Sequence, residues 1–214
     1  MIPLLHDFDG ETVLVFGGGS VGARKARRFA REAAVVVVSP KFADEDFGDA
    51  ERIRADPDAT SVTEWIDRTG PALVVAATDD AAVNDAVETA ARERGILRNR
   101  ADESGARDPG SVVVPATVRD GAVVVSVGTG GRSPALSRAL RERIEPVVEN
   151  AGAMADLTAN LRSELKERLP ANQRRAVLRA VVRDDAVWKG LDTGSPNIEQ
   201  RVTDVISDVT GDCS

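Results

Sequence analysis

The chain has 214 residues, enough for one large or two modest domains with their own cores. Its 42% hydrophobic and 29% charged residues are ordinary for a globular protein, and its net charge of −7 argues against nonspecific nucleic-acid binding. No apolar run is long enough to span a membrane, and no signal peptide is recognisable. One cysteine, Cys213, and one histidine, His6, exclude an internal disulfide and a typical zinc site. We therefore expect a cytoplasmic protein without a resident metal.

The first strong pattern is an apolar run at 12–16 that leads into Gly17, Gly19 and Gly22, followed by basic helix formers over 21–32. A G-x-G-x-x-G sequence between a strand and a helix is typical of a turn that binds the pyrophosphate of a dinucleotide. The helix N-terminus supplies free N–H groups to the phosphates. We therefore predict cofactor contacts from the three glycines; the alternative is a glycine-rich turn that binds no ligand.

A second buried strand is predicted at 35–38, where four valines in succession suit a parallel sheet covered on both faces. At its end, the dinucleotide-binding fingerprint usually has an Asp or Glu that holds the ribose hydroxyls. Here the position has Ser39, followed by Lys41 and Phe42. This difference leaves the choice between NAD and NADP open. Lys41 hints at a 2′-phosphate, although a solvated lysine is the favoured explanation.

Further elements are predicted from hydrophobic pattern and helix signals. Residues 43–58 are compatible with a helix and then a loop, and residues 61–65 with a short strand. A strong buried strand is expected at 72–77, a helix at 81–94, and a further strand at 96–99.

The alternation of strands and helices predicts an α/β fold, a Rossmann-type doubly wound parallel sheet. In such sheets, ligands bind beyond the carboxyl ends of the strands. Four stretches are therefore expected along one edge: Gly17–Val21, Ser39–Phe42, Thr78–Asp80 and Asn99–Asp102.

The character of the sequence changes after residue 111. Two apolar strands, at 112–118 and 122–127, flank an Asp-Gly step that is typical of a β-hairpin. A glycine-rich turn then leads into a helix with Ser133 as N-cap and Pro134 in its first turn, which continues to about residue 149.

The rest of the chain is expected to be helical over 151–169, 171–183 and 197–209, with a break over 190–196. We predict three parts: a dinucleotide-binding domain at 1–111, a dimerisation module at 112–150 and a helical C-terminal domain at 151–214. The hairpin is small for a self-contained core, so a second copy of the chain is the simplest partner for it.

The chain resembles the bifunctional precorrin-2 dehydrogenase/sirohydrochlorin ferrochelatase family, which is also the N-terminal module of siroheme synthase. The resemblance covers about residues 1–150 and lies in GGGSVGARKARR, AATDDAAVNDAV, Asn99-Arg100-Ala101-Asp102 and VVVPATVRDGAVVVSVGTGGRSPALSRALRERIE. It implies an intertwined homodimer that uses NAD to oxidise precorrin-2 to sirohydrochlorin. In some members the same cleft also inserts Fe²⁺, so chelation by this chain stays open.

The resemblance also implies particular site residues. Cofactor contacts fall on Ser20, Val21, Lys41 and Phe42, to which the sheet edge adds Thr78. The essential aspartate of the family falls on Asp102, although Arg100 and Ala101 replace the usual apolar pair before it.

The chemistry of the reaction suits a carboxylate at Asp102. Precorrin-2 must lose a hydride, which a nicotinamide accepts, and a proton, which needs a base on the protein. The alternative for Asp102 is a turn residue that bonds its own backbone.

The substrate carries eight carboxylates while the protein is acidic, so polar and basic groups must line its site. The candidates for substrate binding are Asn99, Thr129, Gly130, Arg132, Ser133 and Arg138. Two other functions stay open: a non-catalytic, dimeric NAD(H)-sensing regulatory protein, and a dehydrogenase for another small acid.

Overall fold

The computed structural model describes residues 3–101 and 109–211. These residues form two compact units, Met1–Val114 with Gly130–Arg132, and Pro115–Thr129 with Ser133–Ser214. The unit that contains the glycine turn is a parallel α/β sheet, and the other is a β-hairpin with five helices in its described part.

The α/β unit has a five-stranded sheet in the order β3-β2-β1-β4-β5, in which every pair is parallel. This order confirms the predicted Rossmann-type fold, since β2 and β4 lie on opposite sides of β1. The elements are β1 (Thr12–Phe16), α1 (Ser20–Phe29), β2 (Ala34–Ser39), β3 (Glu51–Arg54), α2 (Val62–Thr69), β4 (Leu73–Ala76), α3 (Ala81–Glu93) and β5 (Leu97–Arg100).

Strand β1 is the centre of two cores. Val13 and Val15 pack on the side of α1, whereas Leu14 and Phe16 pack on the side of α2 and α3. All four side chains are fully buried. Successive residues of a strand face opposite sides of its sheet, so an unbroken apolar run is what a sheet with helices on both faces requires.

Two expectations between β2 and β4 are wrong. Residues 51–54 form the edge strand β3 rather than a loop or helix, because they pair in register with β2, Val36 with Glu51 and Ser39 with Arg54. Residues 62–69 form the helix α2 rather than a strand. Val62 and Ile66, four residues apart, bury the same face of that helix.

In the other unit, β6 (Ala116–Asp120) and β7 (Val123–Val127) form the predicted antiparallel hairpin. The helices are α4 (Pro134–Val148), α5 (Ala151–Glu164), α6 (Ala171–Arg183), α7 (Asp185–Thr193) and α8 (Ile198–Thr210). Ser133 caps α4 as expected, since its hydroxyl accepts a hydrogen bond from the Leu136 N–H at 3.3 Å.

The expected break over 190–196 begins later than predicted. Gly190 lies inside α7, buried against Ile198, and the helix ends at Gly194. Val177, Val181 and Val187 form the fully buried centre of this helical core.

Candidate functional site

The glycine turn after β1 fits tightly between the ends of β2 and β4. Gly17 has a φ of +116° and donates its N–H to the Val38 carbonyl at 3.0 Å. A side chain on Gly17 would overlap the Ala77 carbonyl, and one on Gly22 would overlap the carbonyl of Gly17 itself. The first and third glycines of the motif therefore let the turn close and let α1 pack against it.

Gly19 differs from both, because it faces open space. A methyl group at this position would meet no protein atom within 4 Å. Gly19 is also the N-cap of α1, without a side-chain cap and without an acidic residue in the first turn of the helix. Gly19 and Ser20 are both exposed. This is an open cradle of backbone N–H groups at a helix N-terminus, and it fits the pyrophosphate of a dinucleotide.

Ser39, at the end of β2, stabilises the loop that follows it. Ser39 is only 6% exposed, and its hydroxyl donates to the Lys41 carbonyl at 2.7 Å. The loop is further held by Ala43, whose N–H donates to the Gly18 carbonyl at 2.8 Å. The Lys41 side chain is exposed, while the Phe42 ring packs edge-on against Phe47. Lys41 and Phe42 therefore lie next to the glycine turn, and their contact with a cofactor stays a prediction.

At the end of β4, Thr78 is held by a residue that the sequence pattern missed. Asn84 on α3 is 1% exposed, and its Oδ1 accepts from the Thr78 hydroxyl at 2.7 Å and from the Thr78 N–H at 3.2 Å. Its Nδ2 donates to the Thr78 carbonyl at 3.1 Å. A polar side chain on the buried face of α3 was the available signal, because a buried amide needs hydrogen-bond partners.

Asn99, predicted to bind the substrate, has a protein partner for each of its two polar side-chain atoms. It is 4% exposed; its Oδ1 accepts from the Lys25 ammonium and its Nδ2 donates to the Val112 carbonyl, both at 2.8 Å. Asn99 instead joins α1 and the segment after residue 108 to β5. The predicted base, Asp102, lies outside the described residues.

The two arginines of β5 bind acidic residues of α3, which sequence reasoning also missed. Arg98 is 4% exposed and pairs with Glu88 at 3.2 Å, while its guanidinium also donates to the Pro109 carbonyl at 2.8 Å. Arg100 contacts both Asp85 and Glu88. These pairs account for a cationic residue at position 100, where the resembled family has an apolar one.

Of the remaining predicted substrate residues, Thr129, Ser133 and Arg138 belong to the hairpin unit, whereas Gly130 and Arg132 belong to the α/β unit. The Thr129 hydroxyl donates to the Ser133 carbonyl at 3.1 Å and lies 3.0 Å from the Ser137 hydroxyl. Arg138 is largely exposed and pairs with Glu142 at 2.9 Å along the same helix. Such exposed pairs are weak, so the pairing leaves Arg138 able to bind another carboxylate. Gly130 and Arg132 are exposed.

Within residues 3–101 and 109–211, no group of three or more His, Cys, Asp or Glu side chains is arranged to hold a metal ion. In the same part of the chain, none of the helices has both the length and the apolar character to cross a membrane.

Comparison with known proteins agrees with this geometry. A family model for NAD(P)-binding domains matches residues 4–116. The precorrin-2 dehydrogenase of Methanosarcina barkeri is 32% identical over 214 residues, which cover 96% of this chain and 93% of that protein. The siroheme synthase of Pseudomonas paraeruginosa is 37% identical over 183 residues, 82% of this chain but only 37% of that longer protein.

A solved structure of SirC, a precorrin-2 dehydrogenase, has the same fold, with a TM-score of 0.69 and 21% identity over 97% of this chain and 100% of that one. The glycine turn, the parallel sheet and the identity over nearly full length lead to one conclusion: the chain belongs to the precorrin-2 dehydrogenase family.

Proposed function

We propose that this chain oxidises precorrin-2 to sirohydrochlorin with NAD as the hydride acceptor. The name of its relative, precorrin-2 dehydrogenase, supports the substrate and the type of reaction. The observation that carries the proposal is the open cradle at Gly19, at the carboxyl edge of a parallel sheet. NAD supplies the hydride acceptor when it is bound. The protein has to bind it, orient it and remove a proton from the substrate.

The backbone of Gly19, Ser20 and Val21 would hold the pyrophosphate, because the first-turn N–H groups of α1 have no side-chain cap. Thr78 is fixed at the neighbouring strand end by Asn84, which keeps the cofactor cleft in shape. Because these groups are already fixed before binding, little conformational entropy would be lost when the cofactor binds.

Asp102 is the proposed general base, and this assignment rests on the resemblance described above. The carboxylate would accept the proton that precorrin-2 loses in addition to the hydride, so that two electrons and two protons leave the substrate in all.

The carboxylates of the substrate need cationic partners in a protein of net charge −7. Arg132 and Arg138 are the proposed partners, together with the Ser133-capped N-terminus of α4. Thr129 and Gly130 shape the turn that presents these groups.

We further propose a homodimer. The hairpin β6–β7 is a sheet of only two strands, and α4 leaves Leu136 50% and Val147 76% exposed. Apolar surface and open strand edges of this kind are usually covered by another chain. Sedimentation equilibrium at micromolar protein should give the dimer mass, and Val147→Asp should shift the equilibrium towards the monomer without changing the circular dichroism.

The function is tested with precorrin-2 and NAD under anaerobic conditions. The expected result is a rise in NADH absorbance that matches the sirohydrochlorin formed. Binding of NAD without any turnover of active substrate would contradict the proposal and favour a regulatory protein. Fe²⁺ added as a second substrate after the oxidation is complete measures chelation separately.

A further inference from the structure

The site for the adenosine ribose has no acidic side chain at the end of β2. In this fold an Asp or Glu there binds the 2′-hydroxyl of NAD and disfavours a 2′-phosphate by charge repulsion. Ser39 occupies the position, and its buried hydroxyl is directed to the Lys41 carbonyl. The usual barrier against NADP is therefore missing.

The side chains around this position are cationic. Lys41 is exposed two residues after Ser39, and Arg54 at the end of β3 lies opposite Ser39 in the sheet register. Arg54 lies two residues after Arg52, whose guanidinium is 5.9 Å from the centre of the Phe42 ring. Since alternate residues of a strand share a face, Arg54 is on the same face as Phe42.

The acidic residues of the following loop form no ion pair with these two cations. Among the described residues, no carboxylate is paired with Lys41 or Arg54, and Asp46 is bound by Arg27 at 3.7 Å. Asp44 and Glu45 are exposed further along the loop.

We propose that the dinucleotide site of this chain also accepts NADP, with the Lys41 ammonium and the Arg54 guanidinium binding its 2′-phosphate. This inference rests on the proposed function, because it assumes that the glycine turn holds the pyrophosphate. An ammonium and a guanidinium are the side-chain groups that best bind a phosphate dianion at an exposed site.

Calorimetric titration of the whole protein with NAD and with NADP, without tetrapyrrole, tests the proposal independently of turnover. We expect NADP to bind at least as tightly as NAD at low salt, to lose affinity as salt is added, and to be displaced by NAD. The fragment 2′,5′-ADP should bind more tightly than 5′-ADP. Wild-type protein that binds NADP more than about tenfold more weakly than NAD would overturn the proposal.

Substitution of Lys41 provides a second test of the proposal. Lys41→Glu should raise the dissociation constant of NADP by at least about tenfold and that of NAD by less than about twofold. Lys41→Gln should have a smaller effect in the same direction. Arg31→Glu changes the charge equally in the exposed segment before β2, at the opposite edge of the sheet, and should affect neither.

Further outcomes distinguish a failure of this inference from a failure of the proposed function. If Lys41→Glu weakens the binding of NAD and of NADP equally, Lys41 does not bind the 2′-phosphate. Absence of binding by both nucleotides would overturn the dinucleotide site itself, whereas tight NADP binding without turnover of precorrin-2 would leave this inference standing and contradict only the proposed function.

Discussion

The ammonium of Lys25 on α1 donates a hydrogen bond to Oδ1 of Asn99 on β5 at 2.8 Å, across 74 positions of the sequence. The amide nitrogen of Asn99 donates in turn to the Val112 carbonyl at 2.8 Å. One buried side chain thus joins the helix of the glycine turn, the last strand of the sheet and the segment that follows residue 108. We infer that Asn99 positions the site rather than touching the substrate.

Replacing Asn99 by Leu tests this positioning part. The variant keeps a similar volume but leaves the Val112 carbonyl without its side-chain donor, so we expect the free energy of unfolding to fall by about 1–3 kcal/mol. The value of kcat should fall while the affinity for NAD changes little. Urea unfolding followed by Trp65 fluorescence in a Trp188→Phe background reports on the α/β unit, because the chain has one tryptophan in each unit.

The matched control is Glu93→Gln, an exposed residue at the end of α3 in the same unit as Asn99 and Trp65. This variant should change stability by less than about 0.5 kcal/mol. Equal stability of Asn99→Leu and the control would contradict the positioning part.

Substitution by alanine should have opposite effects on stability and on NAD binding at Gly19 and at Gly22. In Gly19→Ala the methyl group points into open space, so the melting temperature should stay unchanged while the dissociation constant of NAD rises at least about tenfold. In Gly22→Ala it overlaps the Gly17 carbonyl, so stability should fall by about 1–3 kcal/mol. Thermal melts and calorimetric titration of both variants measure this; an unchanged NAD affinity in Gly19→Ala would exclude the cradle as the pyrophosphate site.

The proposed base is tested by Asp102→Asn. General base catalysis is typically worth 10²–10⁴-fold, so we expect kcat to fall at least about 100-fold while NAD binds as before. The control is Asp79→Asn, an exposed carboxylate that follows β4 at the carboxyl edge of the sheet. If Asp102→Asn retains turnover, or if the two variants lose it equally, Asp102 is not the base.

Local signals predicted the parts of the fold that depend on neighbouring residues. The apolar run before Gly17 gave β1 and the glycine turn, and the Asp-Gly step at Gly121 gave the hairpin. Strand β3 has mostly exposed side chains and exists through its pairing with β2, so its own sequence carried little signal. The parts played by Asn84 and Asn99 also depend on partners distant in the sequence, and only the fold identifies them.

The last prediction concerns pH and the helical core. The guanidinium of Arg201 and the N–H groups of Ala186 and Val187 bind the Asp184 carboxylate and hold its pKa below the usual range. Since the pKa is lower in the folded state, Asp184 stabilises the unit fully above about pH 3.9, the unfolded value, and this contribution is lost as the pH falls through the folded pKa.

The variant Asp184→Asn keeps a side-chain oxygen that can cap α7 but removes the charge. At pH 6 it should be less stable than the wild type by about 1 kcal/mol, because the pair with Arg201 is partly exposed. The gap should narrow as the pH falls below 4. Urea unfolding followed by Trp188 fluorescence in a Trp65→Phe background measures it, with the exposed Asp156→Asn as control. A gap that stays constant from pH 6 to pH 3 would show that the charge of Asp184 contributes nothing, since only its ionised form is bound more strongly in the folded protein.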